Sequence, residues 1–110
     1  MPEPPPLAAA ITQPADGHLK IALAGEIDIL SAPQLRVTLD EALSHGARVV
    51  EVDFGGVEFC DCYGLGVLLG ARRRATEQGT ALRLVSVTSP LVRRLLYRTG
   101  TAAALLGPAK

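Results

Sequence analysis

Three stretches of the chain alternate apolar and polar residues with the period of two that marks a half-buried β-strand. Leu19, Ile21 and Leu23 interleave with Lys20, Ala22 and Ala24, giving a strand that stops near Gly25 and leaves Glu26-Ile27-Asp28 as a loop. Val50, Val52 and Phe54 interleave with Glu51 and Asp53 in a strand over 48–54. Gly55-Gly56 follows as a turn or kink, and Val57-Glu58-Phe59 as a lead-in to the next element. Leu82 and Leu84 flank Arg83 in a strand reaching about Val87. Ahead of these, residues 7–13 predict a short edge strand. Pro14-Ala15-Asp16-Gly17 closes it with turn chemistry and makes a hairpin with the next strand.

Between the strands the period changes to that of a helix. Leu35, Leu39, Ala42 and Leu43 form one stripe, ended near Gly46, and Ser31 before Ala32-Pro33 supplies a capping hydroxyl and a first-turn proline. Leu65, Leu68 and Leu69 predict a helix from about Gly64 to Gln78, stopped by Gly79. Ser89-Pro90 repeats the start signal for a third helix, whose core stripe is Val92, Leu95 and Leu96, ending before Gly100. Residues 101–106 predict a last short strand or helical turn. The order β-β-α-β-α-β-α requires right-handed crossovers between parallel neighbours. The expected fold is α/β: a small mixed β-sheet with helices packed mainly on one face, because Lys20, Glu51, Asp53 and Arg83 make the other face polar.

Composition narrows the partners. A chain of 110 residues that is 48% hydrophobic builds one core, expected over 7–106, with a flexible proline-rich arm over 1–6 and a tail over 107–110. Eleven basic and eleven acidic residues cancel, so no bulk attraction to nucleic acid or anionic membrane is expected. No apolar run approaches the roughly 20 residues of a membrane span, and the N-terminus lacks a signal peptide's basic and apolar regions. Two cysteines make no disulfide framework. A cytoplasmic protein without membrane insertion is the expectation.

The chemistry concentrates at Cys60-Asp61-Cys62-Tyr63-Gly64, where the second central strand passes into a helix. Ligands and partners meet such sheets at the carboxyl ends of strands. If the two central strands are neighbours, the Asp28 loop lies beside this junction. Asp61 is either a cap for the following helix or part of a contact surface. Cys60 and Cys62 sit roughly 6.6 Å apart in an extended chain, near the upper limit for a disulfide. A zinc site would need two more ligands, which His18 and His45 do not supply by spacing. Cys60, beside Phe59, reads as a small core residue, and Cys62 as the thiol open to oxidation. Gly66 and Gly70 flatten one helical stripe, either for a partner's backbone or for the protein's own sheet. Arg72-Arg73-Arg74 point in different directions on a helix and read as a solvated face, one of them suited to steering an acidic partner. No catalytic constellation is complete, and no metal or cofactor site is expected.

The run from Phe59 to Leu69, with Gly25-Glu26-Ile27-Asp28 upstream and Ser89-Pro90-Leu91-Val92 downstream, resembles the STAS domain of bacterial anti-sigma factor antagonists. The resemblance implies a STAS-like sandwich and a regulatory binding module rather than an enzyme. Its partner would be an anti-sigma factor that is also a serine kinase, and its binding would release a sigma factor for transcription. It places the partner-binding surface at Asp28, Asp61, Cys62, Tyr63, Gly64, Leu65 and Gly66. In the family the kinase phosphorylates the second hydroxyl residue after the aspartate; here Cys62 and Tyr63 occupy those positions. A phenol places its oxygen several Å farther out than a seryl hydroxyl, so Tyr63 reads as an aromatic anchor and not as a working phosphoacceptor. The alternative is a STAS scaffold subunit such as those on the cytoplasmic ATPase of a lipid-transport complex. The oligomeric state stays open between monomer and weak dimer.

Overall fold

The computed structural model describes residues 7–107. The proline-rich arm expected over 1–6 and positions 108–110 of the tail lie outside the described residues. Strands β1 (Ala8–Ala15), β2 (His18–Ile27), β3 (Val49–Cys60) and β4 (Ala81–Val85) form one sheet in the order β1-β2-β3-β4. β1 pairs antiparallel with β2 through the two-residue Asp16-Gly17 turn, and β2–β3 and β3–β4 are parallel. The crossovers carry helices α1 (Ala32–Leu43) and α2 (Cys62–Glu77); α3 (Pro90–Arg98) and α4 (Ala102–Leu106) follow β4. The mixed sheet and helical order match the expected fold, and residues 101–106 resolve as a helical turn.

Side-chain alternation decides which face the helices cover. Leu19, Ile21 and Leu23, Val50, Val52 and Phe54, and Leu82 and Leu84 are all buried on one face. There they meet Leu35 and Leu39 of α1, Leu68 and Ala71 of α2, Val92 and Leu96 of α3 and Leu105 of α4 in one cluster. Across the other face Lys20 pairs with Asp53 at 3.5 Å and Arg83 with Glu51 at 2.7 Å. Such surface pairs hold about 0–1 kcal/mol each.

Several boundaries differ from the sequence pattern for identifiable reasons. β2 runs on through Glu26 to Ile27, because Ile27 pairs with Cys60 and is fully buried. β3 does not turn at Gly55-Gly56 but continues to Cys60. Its pairing with β2 jumps from Ala22↔Asp53 to Ala24↔Gly56 and from Gly25↔Val57 to Glu26↔Phe59, so β3 holds one extra residue at each of two bulges. Glycine fits the first bulge, since a Cβ on Gly56 would sit 2.8 Å from Ala24 Cβ and 2.9 Å from the Leu23 carbonyl oxygen. β4 ends at Val85 and not at Val87, because Ser86 takes a left-handed φ of 57°. No helix among the described residues is long and apolar enough to cross a membrane.

Candidate functional site

Parallel pairing of β2 and β3 brings their carboxyl ends together, and the Asp61 N–H donates to the Ile27 carbonyl at 3.0 Å across the junction. Asp61 is the N-cap of α2 in extended conformation, and its Oδ1 accepts from Tyr63 N at 3.0 Å and Gly64 N at 3.1 Å. The helix therefore begins at Cys62, two residues before the glycine expected to open it. A carboxylate there satisfies two otherwise free donors and meets the positive end of the helix dipole, worth about 0.5–2 kcal/mol.

The β2–α1 loop is built around Asp28. Its Oδ1 accepts from Leu30 N at 2.9 Å and Ser31 N at 3.1 Å. Ser31 Oγ accepts from Asp28 N at 3.0 Å and donates to the Glu26 carbonyl at 2.9 Å. Ser31 itself sits in helical backbone conformation and makes no side-chain cap to α1. The capping job read from Ser31 has passed upstream to Asp28, whose carbonyl also accepts from Ala32 N at 2.8 Å. Ser89 does cap α3, accepting from Val92 N at 3.4 Å, and its Oγ donates to the Glu58 carbonyl at 2.7 Å. That bond moors the start of α3 to the end of β3.

These caps hold side chains in two directions. Tyr63 is 60% exposed, and Cys62 and Gly66 also face solvent, while Asp28 and Asp61 are half-buried. Gly64 and Leu65, expected in the contact surface, point the other way: Leu65 is 6% exposed within the core cluster, and Gly64 lies against Ile27 and Cys60. Sequence reasoning missed Ile29, Leu30, Phe59 and Leu91, four exposed apolar side chains at the same end of the sheet. Leu30, at 86% exposure, is the extreme case. A signal was present, since the Ile29-Leu30 pair falls in a loop between two periodic elements and fits neither period.

The two thiols are free and differ in surroundings: Cys60 is buried and Cys62 exposed. Burial first, then the Asp61 charge and Cys62, push the Cys60 thiol up to about 12. Native protein treated with an alkylating reagent at pH 8 is expected to label Cys62 and spare Cys60, read by peptide mapping. The raised value also fixes a sign. Folding favours the neutral Cys60 thiol, so its contribution is complete below the unfolded value of 9.0 and is lost as pH rises toward 12. The urea midpoint of the wild type should fall faster over that range than that of Cys60→Ala.

Comparison with known proteins adds four findings. A family model described as "Mlab, STAS domain" matches residues 11–107. The anti-sigma-B factor antagonist of Bacillus subtilis (strain 168) is 33% identical over 78 residues, 71% of each chain. The anti-sigma F factor antagonist of Paenibacillus polymyxa is 31% identical over 85 residues, covering 76% of this chain and 72% of that one. An anti-sigma factor antagonist from Mycobacterium paratuberculosis, solved as a crystal structure, shares the fold with a TM-score of 0.77 at 24% identity, over 94% of this chain and 86% of that one.

Proposed function

Since the chain belongs to the STAS domain family, we propose that it is an anti-sigma factor antagonist, a binding module that captures an anti-sigma factor of the serine-kinase type and so frees a sigma factor. The observation that carries this reading is the exposed apolar rim of Ile29, Leu30, Phe59 and Tyr63 at the joined ends of β2 and β3, framed by the Asp28 and Asp61 caps. A hydrogen-bonded base already orders the loops that carry these side chains, which lowers the ordering cost when a partner covers them, and tyrosine is enriched among residues that dominate interfaces.

The usual phosphate switch has no acceptor at this site. No serine or threonine occurs between Ser44 and Thr76, and the hydroxyl in the matching place belongs to Tyr63. The nearby hydroxyls of Ser31 and Ser89 are occupied in holding the loop and the α3 cap. Binding competence is then constitutive with respect to a serine kinase.

One experiment tests both parts. Calorimetric titration against serine-kinase anti-sigma factors encoded in the source genome should show binding, weakened by about 2 kcal/mol, roughly 30-fold, in Tyr63→Ala. Incubation with the bound kinase and ATP should leave the intact mass unchanged. Unaltered affinity in Tyr63→Ala with an unaltered circular dichroism spectrum removes Tyr63 from the interface, and a phosphate mapped to Tyr63 overturns the switchless reading. The absent serine and threonine also favour a second reading, a STAS scaffold subunit on a cytoplasmic transport ATPase, where phosphorylation has no part. Co-purification with ATPase subunits in place of an anti-sigma factor would establish it.

A further inference from the structure

Beside Tyr63 the surface sinks into a groove of about 470 Å³ between α1 and α2. Tyr63, Gly66, Val67, Gly70 and Arg73 of α2 line it along one face, and Arg36 of α1 stands opposite. From Tyr63 to Arg74 the lining covers eleven helical steps, about 16 Å at 1.5 Å per residue. The groove is therefore elongated along α2, apolar near Tyr63 and Val67 and basic at its far end. A Cβ built on Gly66 meets no heavy atom within 4 Å, and one on Gly70 meets only Arg74 Nη1 at 3.4 Å. The glycines thus open the groove floor and do not serve packing against the sheet.

The three consecutive arginines separate by task. Arg72 Nε donates to the Ala104 carbonyl at 2.7 Å and moors α4. Arg74 pairs with Asp40 at 2.7 Å, and Arg36 reaches the same carboxylate at 3.9 Å. Arg73 is exposed and has no carboxylate within ion-pairing distance among the described residues. Two of the three guanidinium groups lining the groove, Arg36 and Arg74, share the Asp40 carboxylate and Arg73 has none, so the basic end of the groove carries an excess of positive charge in a protein whose formal net charge is zero.

We infer that this groove receives an acidic, amphipathic helical segment of the protein partner, its apolar residues against Tyr63 and Val67 and its carboxylates, two turns on, against Arg73 and Arg36. The inference rests on the partner-binding reading above and extends that surface from the apolar rim down the α1–α2 face. The length of the groove favours a helix over a compact anion, because a small anion would engage the arginine end and leave Tyr63 and Val67 uncovered. In helix-in-groove recognition the docked helix presents anchors at i, i+3, i+4 and i+7 along one face, which suits an elongated groove, and exposed complementary charge fixes orientation and speeds encounter.

The test is titration of the full, ¹⁵N-labelled chain with an alanine-based helical peptide bearing leucines at one end and, two turns on, a pair of glutamates. The same peptide with lysines in place of glutamates is the control. The glutamate peptide should shift the Gly66 and Gly70 amide signals, and the lysine peptide should not. Arg73→Glu should weaken binding about tenfold. Gly66→Leu should block the groove while raising thermal stability, a combination that a merely structural role would not produce. No shift at the two glycines, equal shifts from both peptides, or equal shifts from inorganic phosphate or a DNA duplex would each overturn the inference. An anti-sigma factor that binds wild type and Arg73→Glu equally tightly would overturn the groove and leave the proposed function standing. Peptide binding without any anti-sigma factor binding would do the reverse.

Discussion

Gly64→Ala is expected to destabilise the protein by about 2–3 kcal/mol, although alanine is the better helix former by about 1 kcal/mol. A Cβ on Gly64 would stand 2.3 Å from Ile27 Cγ2 and 2.8 Å from Cys60 Sγ, and both neighbours are buried at the paired ends of β2 and β3. Relief requires α2 to lift from the sheet, and the Asp61 cap binds that same turn. The check is urea denaturation of Gly64→Ala, Ile27→Leu and the double variant. Leucine lacks the offending branch methyl, so the double variant should be more stable than the sum of the single losses predicts. Gly66→Ala, two residues along the same helix and over open space, should move the midpoint the other way.

Phe54→Ala should cost more, about 3–5 kcal/mol, the range found when a buried aromatic ring is removed from a closed core. Phe54 is 1% exposed and heads the largest fully buried side chains. It is also the last inward residue before the first bulge of β3, so its loss removes packing under the strand segment that carries Asp61. Domains of this size are stable by only about 5–15 kcal/mol, so the variant should show a clear fall in urea midpoint and in thermal stability. Phe54→Leu keeps most of the apolar volume and should lose well under half as much; equal losses for both substitutions would mean that ring shape, not cavity volume, sets the cost.

How much of this was legible in the sequence follows from the range of each interaction. Strand and helix periods depend on neighbours a few residues apart, and they placed the sheet, the three main helices and the polar open face carrying Lys20, Glu51, Asp53 and Arg83. The Ser89 cap was legible for the same reason. Ser31 was misread because Asp28, three residues upstream, competes for the same loop donors and wins with a carboxylate. Gly55-Gly56 looked like a turn because a bulge exists only relative to a partner strand, and β2 is some thirty residues away in the chain. At the site, the family resemblance placed Asp28, Asp61 and Tyr63 at one end of the sheet. It could not tell outward from inward within a single helical turn, so Leu65 and Gly64, which the structure buries, were expected among exposed residues, while Ile29 and Leu30 stand in solvent at that end of the sheet. Of the groove, only the flat Gly66–Gly70 stripe and a steering arginine were legible, since its opposite wall needs Arg36 from a different helix.

The two bulges of β3 bear on how this chain can change length over evolutionary time. Inward residues on β3 fall at Val50, Val52 and Phe54, then at Val57 and Cys60, so each step of three contains one residue with no opposite number on β2. Elsewhere in the sheet the loss of one codon would turn every following side chain to the wrong face. At Gly55-Gly56 or at Glu58 the lost codon is the unpaired one: Val57 and Cys60 stay inward, and what changes is the bend of the strand and hence the aim of Asp61 and Tyr63. Single-residue deletion at these two places would therefore re-aim Asp61 and Tyr63 without rewriting the core of this chain.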